Sequence, residues 1–241
     1  MRIWGLTDIG LVRKENQDAY AVRELPFATI CVVCDGMGGT CGGQMASNIA
    51  VSTYVTELEK VLRPGMTPQE LGEASAHAVA LANEAIRRQA EQSEEFKNMG
   101  TTLVSAVTYP GGAAITNVGD SRAYHVTAEG ITRVTKDHSL VEDMVDRGDI
   151  TAEEARRHPN RNLITRALGP DENATCDGFL CPLAPGDFLL LCTDGLIDTV
   201  TDEEMRLEIG APLETCLNRL LDIAKSRGAA DNVTAVLMQN G

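Results

Sequence analysis

The sequence predicts an α+β fold with two β-sheets and outer helices. Helix-like stretches cluster in blocks and strand-like stretches in runs, which is typical of α+β proteins rather than of regularly alternating βαβ proteins. The 241-residue chain is 43% hydrophobic and 23% charged, a globular balance far from that of disordered chains. Aromatic residues make up only 4% of it, so we expect an aliphatic core. Since no repeat, low-complexity tract or linker interrupts the chain, we expect one domain over residues 1–241.

The first third of the chain is predicted to combine two strands with two helices. Residues 2–7 are strand-like, and residues 28–34 form a nearly continuous apolar run, which indicates a strand covered on both faces. A glycine-rich turn over residues 36–43 precedes a helical pattern over about residues 44–62. The second helix is expected to begin at Thr67, because the sequence Thr-Pro-Gln-Glu supplies an N-cap, a first-turn proline and a capping glutamate.

The rest of the chain is predicted to consist mostly of short strands separated by turn signals such as Pro-Gly-Gly and Glu-Gly. We interpret the central strands as an antiparallel meander. Residues 139–170 are expected to form short charged helices and loops as a surface insertion, and a helix over about residues 212–227 precedes the last strand. The strands predicted after the second helix cover residues 101–109, 113–118, 122–126, 131–134, 175–181, 187–192 and 233–238.

The formal charge of −14 disfavours several classes of partner. Nucleic-acid binding needs a basic surface, so we expect neither DNA nor RNA as a partner, and binding to an anionic membrane is disfavoured for the same reason. No apolar run approaches the roughly 20 residues that span a bilayer. The first residues lack the apolar core of a signal peptide. With seven cysteines, an odd number, these features predict a cytoplasmic protein with reduced thiols.

Cys31 and Cys34 form a CxxC motif inside the apolar strand-like run. Residues three positions apart on a strand point to opposite faces, so these two thiols are poorly placed to share a zinc ion. We therefore expect both to be buried apolar thiols.

Aspartates recur at the ends of the predicted strands, beside glycine or another small residue. A single aspartate in such a place is adequately explained as a turn residue. As a set they indicate more, because a carboxylate at the mouth of a buried strand is costly to desolvate unless a cation meets it. Mg²⁺ and Mn²⁺ prefer oxygen ligands, and glycines allow a backbone carbonyl such as that of Gly36 to join them. The aspartates concerned are Asp8, Asp35, Asp120, Asp194 and Asp231.

Seven segments, in order along the chain, resemble the motifs of bacterial PP2C-type metal-dependent protein phosphatases. One such segment alone is weak evidence, whereas seven in order from near residue 1 to near residue 238 are specific. The resemblance implies a four-layer α-β-β-α sandwich of two packed antiparallel sheets flanked by helices. The segments are residues 7–18 (TDIGLVRKENQD), 33–39 (VCDGMGG), 100–102 (GTT), 117–122 (NVGDSR), 135–139 (TKDHS), 192–196 (CTDGL) and 231–234 (DNVT).

The resemblance also implies hydrolysis of phosphoserine and phosphothreonine on proteins by water activated at a dinuclear Mn²⁺ or Mg²⁺ centre. Asp35 matches the residue that bridges both ions, and the carbonyl of Gly36 matches a ligand of one of them. Asp194 and Asp231 would complete the other ion's ligands. Asp18 matches a carboxylate that holds water at the centre.

Further positions match the third-metal and substrate residues of the family. Asp120, with Asp194, matches a weaker third metal site found in bacterial relatives. Arg13, in a loop between the first strands, matches the arginine that grips the substrate phosphate, as guanidinium groups do through paired hydrogen bonds. Without the resemblance, a basic loop of this kind is more simply a solvated surface. Residues 139–170 match a mobile flap beside the site, from which Arg166 would reach toward the substrate.

Four positions depart from the family pattern. Relatives carry histidine at the position of Met37 or of Thr40, so the general acid proposed for some members is missing and protonation of the leaving group falls to water. Gln44 stands where an acidic residue is common, which should weaken an outer hydrogen bond. Cys41 is unusual near the metal loop, and both an inert and a redox-sensitive role stay open, the inert one being favoured because nothing local lowers its pKa clearly.

The expected partners are phosphorylated proteins, including a Ser/Thr kinase that the enzyme opposes, and the chain is expected to be a monomer. Two alternatives stay open. A pseudophosphatase would bind phosphoproteins without hydrolysis, although every expected metal-binding aspartate is present. A regulatory enzyme would act on one dedicated phosphoprotein in a partner-switching pathway.

Overall fold

The computed structural model describes residues 1–210 and 212–241. The strands are β1 (Arg2–Asp8), β2 (Asp18–Glu24), β3 (Thr29–Met37), β4 (Gly100–Thr101), β5 (Leu103–Tyr109), β6 (Gly112–Val118), β7 (Arg122–Val126), β8 (Ile131–Arg133), β9 (Asp177–Pro182), β10 (Phe188–Cys192) and β11 (Val233–Gln239). The helices are α1 (Gly39–Val61), α2 (Pro68–Ala90), α3 (Leu140–Asp146), α4 (Ala152–Arg157), α5 (Asp194–Ile197), α6 (Asp202–Glu208) and α7 (Leu213–Ser226).

The strands form two antiparallel sheets. Sheet I has the strand order β1-β11-β10-β7-β8, and sheet II has the order β2-β3-β5-β6-β9, with β4 paired to β3. The first and last strands of the chain are neighbours in sheet I, where Arg2 lies opposite Gln239. Residues from both ends of the sequence are thereby brought to the same edge of the sandwich.

Three buried clusters show that the layers are ordered α-β-β-α, as predicted. Helices α1 and α2 cover sheet II, with side chains such as Leu58 and Ile86 in the cluster. Side chains such as Val33 and Leu191 fill the space between the two sheets. Leu220 of α7 belongs to the third cluster, which covers the outer face of sheet I. No helix among the described residues is long and apolar enough to cross a bilayer.

The two CxxC thiols lie in different parts of the core, as the strand pattern predicted. Cys31 belongs to the cluster between the sheets, whereas Cys34 belongs to the cluster beneath α1 and α2. Both are fully buried, and burial raises the pKa of both thiols. The pair is therefore part of the packing on the two faces of β3.

The predicted central meander was wrong, because the chain changes sheets in the middle of it. Strands β5 and β6 belong to sheet II, whereas β7 and β8 belong to sheet I. The crossing is made at Gly119, whose φ of +99° lies in the region that favours glycine. Turn signals show where a strand ends, but they do not show which sheet the next strand joins.

Helix α1 begins at Gly39, so the predicted glycine-rich turn is in part the first turns of a helix. A Cβ on Gly43 would lie 2.6 Å from the carbonyl oxygen of Gly36, and one on Gly42 would lie 3.1 Å from the Met99 side chain. These glycines therefore allow the helix to approach β3 and the segment before β4 closely.

Helix α2 begins as predicted. The Glu70 amide donates to Thr67 Oγ1 at 3.2 Å, and the Thr67 amide donates to Glu70 Oε2 at 2.8 Å, which completes a capping box. The short helices α3 and α4 fall within residues 139–170, the segment expected to hold such helices. Helices α5 and α6 were not predicted, since four and seven residues are too few to show a helical period.

Candidate functional site

Asp18 and Asp35 lie opposite each other in the β2–β3 strand pair. Asp18 is the first residue of β2, and the antiparallel register pairs it with Asp35 near the end of β3. Only 7% of Asp18 is exposed. The hairpin therefore places two carboxylates side by side in a poorly solvated part of the sandwich.

Asp194 and Asp231 are brought together by the neighbouring strands β10 and β11. Asp194 begins α5, with Thr193 between it and the end of β10, and Asp231 precedes β11. The Thr193 amide donates to the Thr234 carbonyl oxygen at 3.0 Å, which fixes the two segments to each other. Gly195 packs so closely on the carbonyl of the residue before β11 that a Cβ there would overlap it. Glycine is required at this position by the approach of two backbones.

Asp120 lies in the turn where the chain crosses between the sheets. The turn is held by His138, whose Nδ1 accepts from the Gly119 amide at 3.1 Å and whose amide donates to the Gly119 carbonyl at 2.9 Å. Burial, and then the charge of Asp194, raises the pKa of Asp120. Asp120 is therefore close enough to Asp194 for the two carboxylates to interact.

A cavity of about 530 Å³ collects most of the predicted site residues. Asp18 lies behind its surface, where Oδ2 accepts a 2.9 Å hydrogen bond from Thr193 Oγ1. Of the predicted residues, Arg166 lies apart from this region, and so does Asp8, whose Oδ2 accepts a 2.7 Å hydrogen bond from Lys225 Nζ. The predicted residues that line the cavity are Arg13, Asp35, Gly36, Asp120, Asp194 and Asp231.

Burial raises the pKa of the inner carboxyl groups. It is the largest cause at each of them, and neighbouring carboxylates add to it. The pKa of Asp18 is raised to about 7 and that of Asp194 to about 6, while the pKa values of Asp35 and Asp120 lie well above 3.8. Beyond burial, the charge of Asp194 and then that of Asp18 raise the pKa of Asp35, so these carboxyl groups lie close enough to interact. The cluster is short of positive charge.

Two buried oxygens in this cluster have no hydrogen-bond partner among the described residues, namely Asp18 Oδ1 and Asp194 Oδ1. Leaving a buried acceptor unsatisfied costs about 1–3 kcal/mol, and more for a charged group. A divalent cation would remove that cost. Because the atoms that these side chains offer as metal ligands are all oxygens, the residues present fit Mg²⁺ or Mn²⁺ rather than a zinc ion held by Cys and His.

Both carboxylate oxygens of Asp231 accept hydrogen bonds. Arg13 Nη2 donates to Oδ2 at 2.6 Å, and the Asn232 amide donates to Oδ1 at 2.8 Å. The bond to Asp231 raises the pKa of Arg13, so the guanidinium stays charged.

Within the described residues, no three His, Cys, Asp or Glu side chains are grouped as a metal cage. The structure therefore gives Asp35, Asp194 and Asp231 a shared cavity rather than a preformed cage.

Arg166 contacts β9 instead of the cavity. Its Nη1 donates to Asp177 Oδ1 at 2.9 Å and lies 3.2 Å from His138 Nε2. Asp177 also lies 3.2 Å from the ring of His138 and so joins the two basic residues. In this structure a carboxylate outside the motif segments thus holds Arg166 away from the cavity, and its role toward the substrate stays a prediction.

Asn232 is a site residue to which sequence reasoning gave no role. Its Oδ1 accepts from the Gln17 amide at 2.8 Å, and its Nδ2 donates to the carbonyls of Ile9 and Glu15 at 2.9 and 3.0 Å. It therefore holds the two ends of the loop that carries Arg13. Its place inside the last motif segment was the available signal.

The departures from the family pattern can be located in part. Met37 lines the cavity, and none of the chain's four histidines, all within the described ranges, does so. Cys41 and Gln44 are exposed on α1, while the side chain of Thr40 lies outside the described part of the structure. Two flap residues not predicted for the site, Asn162 and Ile164, also line the cavity.

Comparison with known proteins connects this site to one family. Residues 12–238 match the sequence model of the family described as Protein phosphatase 2C. The chain is 35% identical over 236 residues to the serine/threonine phosphatase stp of Listeria innocua, covering 97% of this chain and 93% of that protein. It is 34% identical over 243 residues to the protein phosphatase PhpP of Streptococcus pneumoniae, covering 99% and 97%.

Solved structures are similar over the same length. The crystal structure of the serine/threonine phosphatase Stp1 from Staphylococcus aureus superposes with a TM-score of 0.92 at 33% identity, over 98% of this chain and 94% of that one. The serine/threonine phosphatase PstP/Ppp of Mycobacterium tuberculosis gives a TM-score of 0.88 at 34% identity, over 98% and 97%. Sequence and fold therefore agree on one set of relatives.

Proposed function

The chain belongs to the protein phosphatase 2C family and is a protein serine/threonine phosphatase, and from that premise we propose that it uses two divalent cations, Mn²⁺ or Mg²⁺, to hydrolyse phosphoserine and phosphothreonine in proteins. The observation that carries the proposal is the group of Asp18, Asp35 and Asp194, in which two buried carboxylate oxygens lack a partner. We propose that residues 1–241 act as one phosphatase domain with residues 139–170 as its flap.

The cations are assigned to the inner carboxylates because these groups need positive charge. Bound divalent cations would acidify water to supply a hydroxide that attacks phosphorus, and they would offset charge on the phosphate oxygens. Asp18 helps to hold water at the centre, and Asp120 with Asp194 would serve a weaker third site. The residues assigned to the two principal sites are Asp35, the carbonyl of Gly36, Asp194 and Asp231.

Arg13 is assigned to binding the substrate phosphate. Its guanidinium lies at the cavity, half exposed and held by Asp231, so it is positioned by the site before substrate arrives. Guanidinium groups bind phosphate oxygens through two parallel hydrogen bonds and keep their charge at any physiological pH. A phosphate that enters the cavity would therefore compete with Asp231 for Arg13.

The leaving alkoxide oxygen of serine or threonine needs a proton, and no histidine lines the cavity to supply one. We assign this role to water in the cavity. Direct attack by hydroxide needs no covalent intermediate on the protein. The exposed Cys41 does not line the cavity and takes no part in this scheme.

The proposed substrates are phosphoproteins produced by a Ser/Thr kinase, which the phosphatase would oppose, with the kinase itself among them. The proposal places this reaction in the cytoplasm and assigns it to a monomer. The proposed substrates are supported by the family of the chain and by the phosphatase activity named for its relatives. Hydrolysis of unrelated phosphopeptides at similar rates is expected of a general phosphatase, and activity on one protein only would replace it with a dedicated regulator.

The test is hydrolysis of p-nitrophenyl phosphate and of a phosphothreonine peptide in Mn²⁺, by Asp35→Asn and Asp194→Asn in parallel with Asp146→Asn. Asp146 is an exposed partner of Lys136 outside the cavity and serves as the matched control. We expect the two cavity variants to lose at least about 100-fold in kcat/KM, as when a principal transition-state charge is removed, and the control to keep its activity. Cavity variants within a few-fold of the unaltered protein would overturn the assignment. Peptide binding that survives a chelator without any hydrolysis would indicate a pseudophosphatase.

A further inference from the structure

A second groove, of about 690 Å³, adjoins the catalytic cavity. The two share Asp120, Asn162 and Asp194 as lining residues, so they meet beside the buried carboxyl groups. One wall of this flap groove is formed by α3 and α4, and the opposite wall by α5 and the first residues of α6. A polypeptide whose phosphorylated side chain entered the cavity could continue along this groove.

Both walls of the flap groove carry apolar side chains. Residues of α3 and α4 line the groove together with residues of the segment from α5 to α6. The apolar residues that line it include Val141, Val145, Ala155, Ile197 and Val200. Pockets that recognise a ligand combine such apolar walls with a few polar groups that fix its orientation.

Arg156, on α4, is the basic residue of the flap groove whose charge is not paired with a carboxylate among the described residues. It is exposed, and no hydrogen bond or ion pair of its side chain is found among the described residues. In a chain with a net charge of −14, this is a local site for an acidic group. The other basic residues of the groove are engaged in ion pairs, Arg122 with Asp137, Arg133 with Glu142, Arg161 with Asp198 and Arg227 with Glu204.

Asn162 stands where the two cavities meet. The adjoining backbone is anchored on the domain, because the Leu140 amide donates to the Leu163 carbonyl at 2.9 Å and the Thr165 amide donates to the His138 carbonyl at 2.8 Å. The Asn162 side chain has no hydrogen bond to the described residues, although it offers both a donor and an acceptor. Its amide is thus available to a peptide backbone.

We propose that the flap groove binds the substrate segment next to the phosphorylated residue, with an apolar side chain between α4 and α5 and an acidic side chain at Arg156. Asn162 would hold the backbone of that segment at the junction. This inference rests on the proposed function and adds the sequence preference of its substrates. The flap groove is therefore a specificity site that small phosphate esters do not use.

The test compares phosphothreonine peptides in which one leucine and one glutamate are moved through the positions on either side of the phosphothreonine, in an otherwise small and neutral sequence. We expect the best peptide to exceed the unsubstituted one by about tenfold in kcat/KM, the scale of discrimination by an apolar pocket. Arg156→Glu should remove the gain from glutamate and transfer it to the matching lysine peptide. Arg157→Glu is the matched control, since Arg157 is the next residue, pairs with Glu153 and does not line the groove.

Ala155→Trp tests the apolar part of the flap groove independently, because the larger ring would fill it. It should abolish the leucine preference while leaving hydrolysis of p-nitrophenyl phosphate within about twofold. Equal rates on all peptides with the unaltered protein, or an equal effect of Arg157→Glu, would overturn the inference and leave the proposed function intact. Loss of p-nitrophenyl phosphate hydrolysis in both groove variants would also overturn it. Dimerisation that Arg156→Glu abolishes would identify the groove as a self-interface and exclude it as a substrate site.

Discussion

Arg13 and Asp231, 218 residues apart in the sequence, are joined by a 2.6 Å hydrogen bond from Nη2 to Oδ2. Arg13 is expected to bind the substrate phosphate, and Asp231 is expected to bind a cation. In this structure each of the two side chains supplies the charge that the other's expected ligand would bring. Asn232 fixes this geometry, since it holds the loop carrying Arg13 and follows Asp231 directly. The ion pair of Arg13 and Asp231 therefore links the predicted phosphate site to the predicted cation site.

Replacement of Arg13 should separate the two roles. We expect Arg13→Ala to lower kcat/KM on p-nitrophenyl phosphate by about 100-fold, because a charge that stabilises the transition state is lost. Affinity for Mn²⁺, measured by titration calorimetry, should rise a few-fold because Asp231 loses its competitor. Arg23→Ala, which removes an exposed partner of Glu59 far from the cavity, is the control. Weaker Mn²⁺ binding by Arg13→Ala would show that the ion pair supports the cation site.

The stability of the metal-free protein should fall as pH rises. The pKa of Asp18 is about 7 and that of Asp194 about 6, against 3.8 for the ordinary side chain, so the folded state holds protons that the unfolded state has released. The free energy of unfolding therefore decreases with pH between about 4 and 7, by a few kcal/mol in all. The share of Asp194 is the smaller one, since it is partly accessible from the cavity.

Thermal unfolding in a chelator at pH 5.5 and pH 8 checks this expectation, with and without added Mg²⁺ or Mn²⁺. The melting temperature without metal should be lower at pH 8, and the increase produced by the cation should be larger there, because ionised carboxylates are the ligands. Asp194→Asn should reduce both effects. A metal-free protein that is more stable at pH 8 would contradict the assigned protonation.

Gly195 should tolerate no side chain. Gly195→Ala would force its Cβ against the Asn232 carbonyl, and relief would move the segments that carry Asp194 and Asp231 apart. We expect a loss of about 2–3 kcal/mol, typical of overpacking, and a melting temperature lower by roughly 4–10 °C. Gly130→Ala is the matched control, because a Cβ there meets nothing within 4 Å. Equal stability of the two variants would mean that the backbones can separate freely.

The ion pair of Arg122 and Asp137 should matter far more than a surface pair. Arg122 donates to both carboxylate oxygens, at 2.6 to 3.0 Å, and only 6% of the Asp137 side chain is exposed. Asp137→Ala leaves a poorly solvated guanidinium unpaired, which costs about 3–5 kcal/mol. Asp146→Ala, at the exposed pair with Lys136, should cost less than about 1 kcal/mol. Urea unfolding at pH 7 measures both values, and similar losses would show that the Arg122 pair is well solvated.

The local features of the fold could be predicted because they depend on neighbouring residues. The capping box at Thr67, the apolar strand that became β3 and the opposite faces of Cys31 and Cys34 all follow from short-range geometry. The motif segments also named the aspartates that the structure brings to one region. For these residues the type and position along the chain carried the information.

Contacts between distant segments could not be predicted in the same way. The change of sheet at Gly119, the bond between Arg166 and Asp177 and the role of Asn232 each depend on which strands lie side by side. Either partner alone looks like an ordinary turn or surface residue. The interaction energy of such a pair arises only when the folded backbone has brought the two residues together.

The sequence by itself determined most of the secondary elements, although not β2, α5 or α6, together with the α-β-β-α plan and the oxygen-rich chemistry of the site. These follow from hydrophobic pattern, turn residues and motif order. Only the tertiary structure decided that Asp18 and Asp35 share a strand register, that Asp231 holds Arg13 and that a groove leads away beside the flap. The physical reason is that burial and electrostatic interaction depend on distances in space, and separation along the chain does not fix those distances.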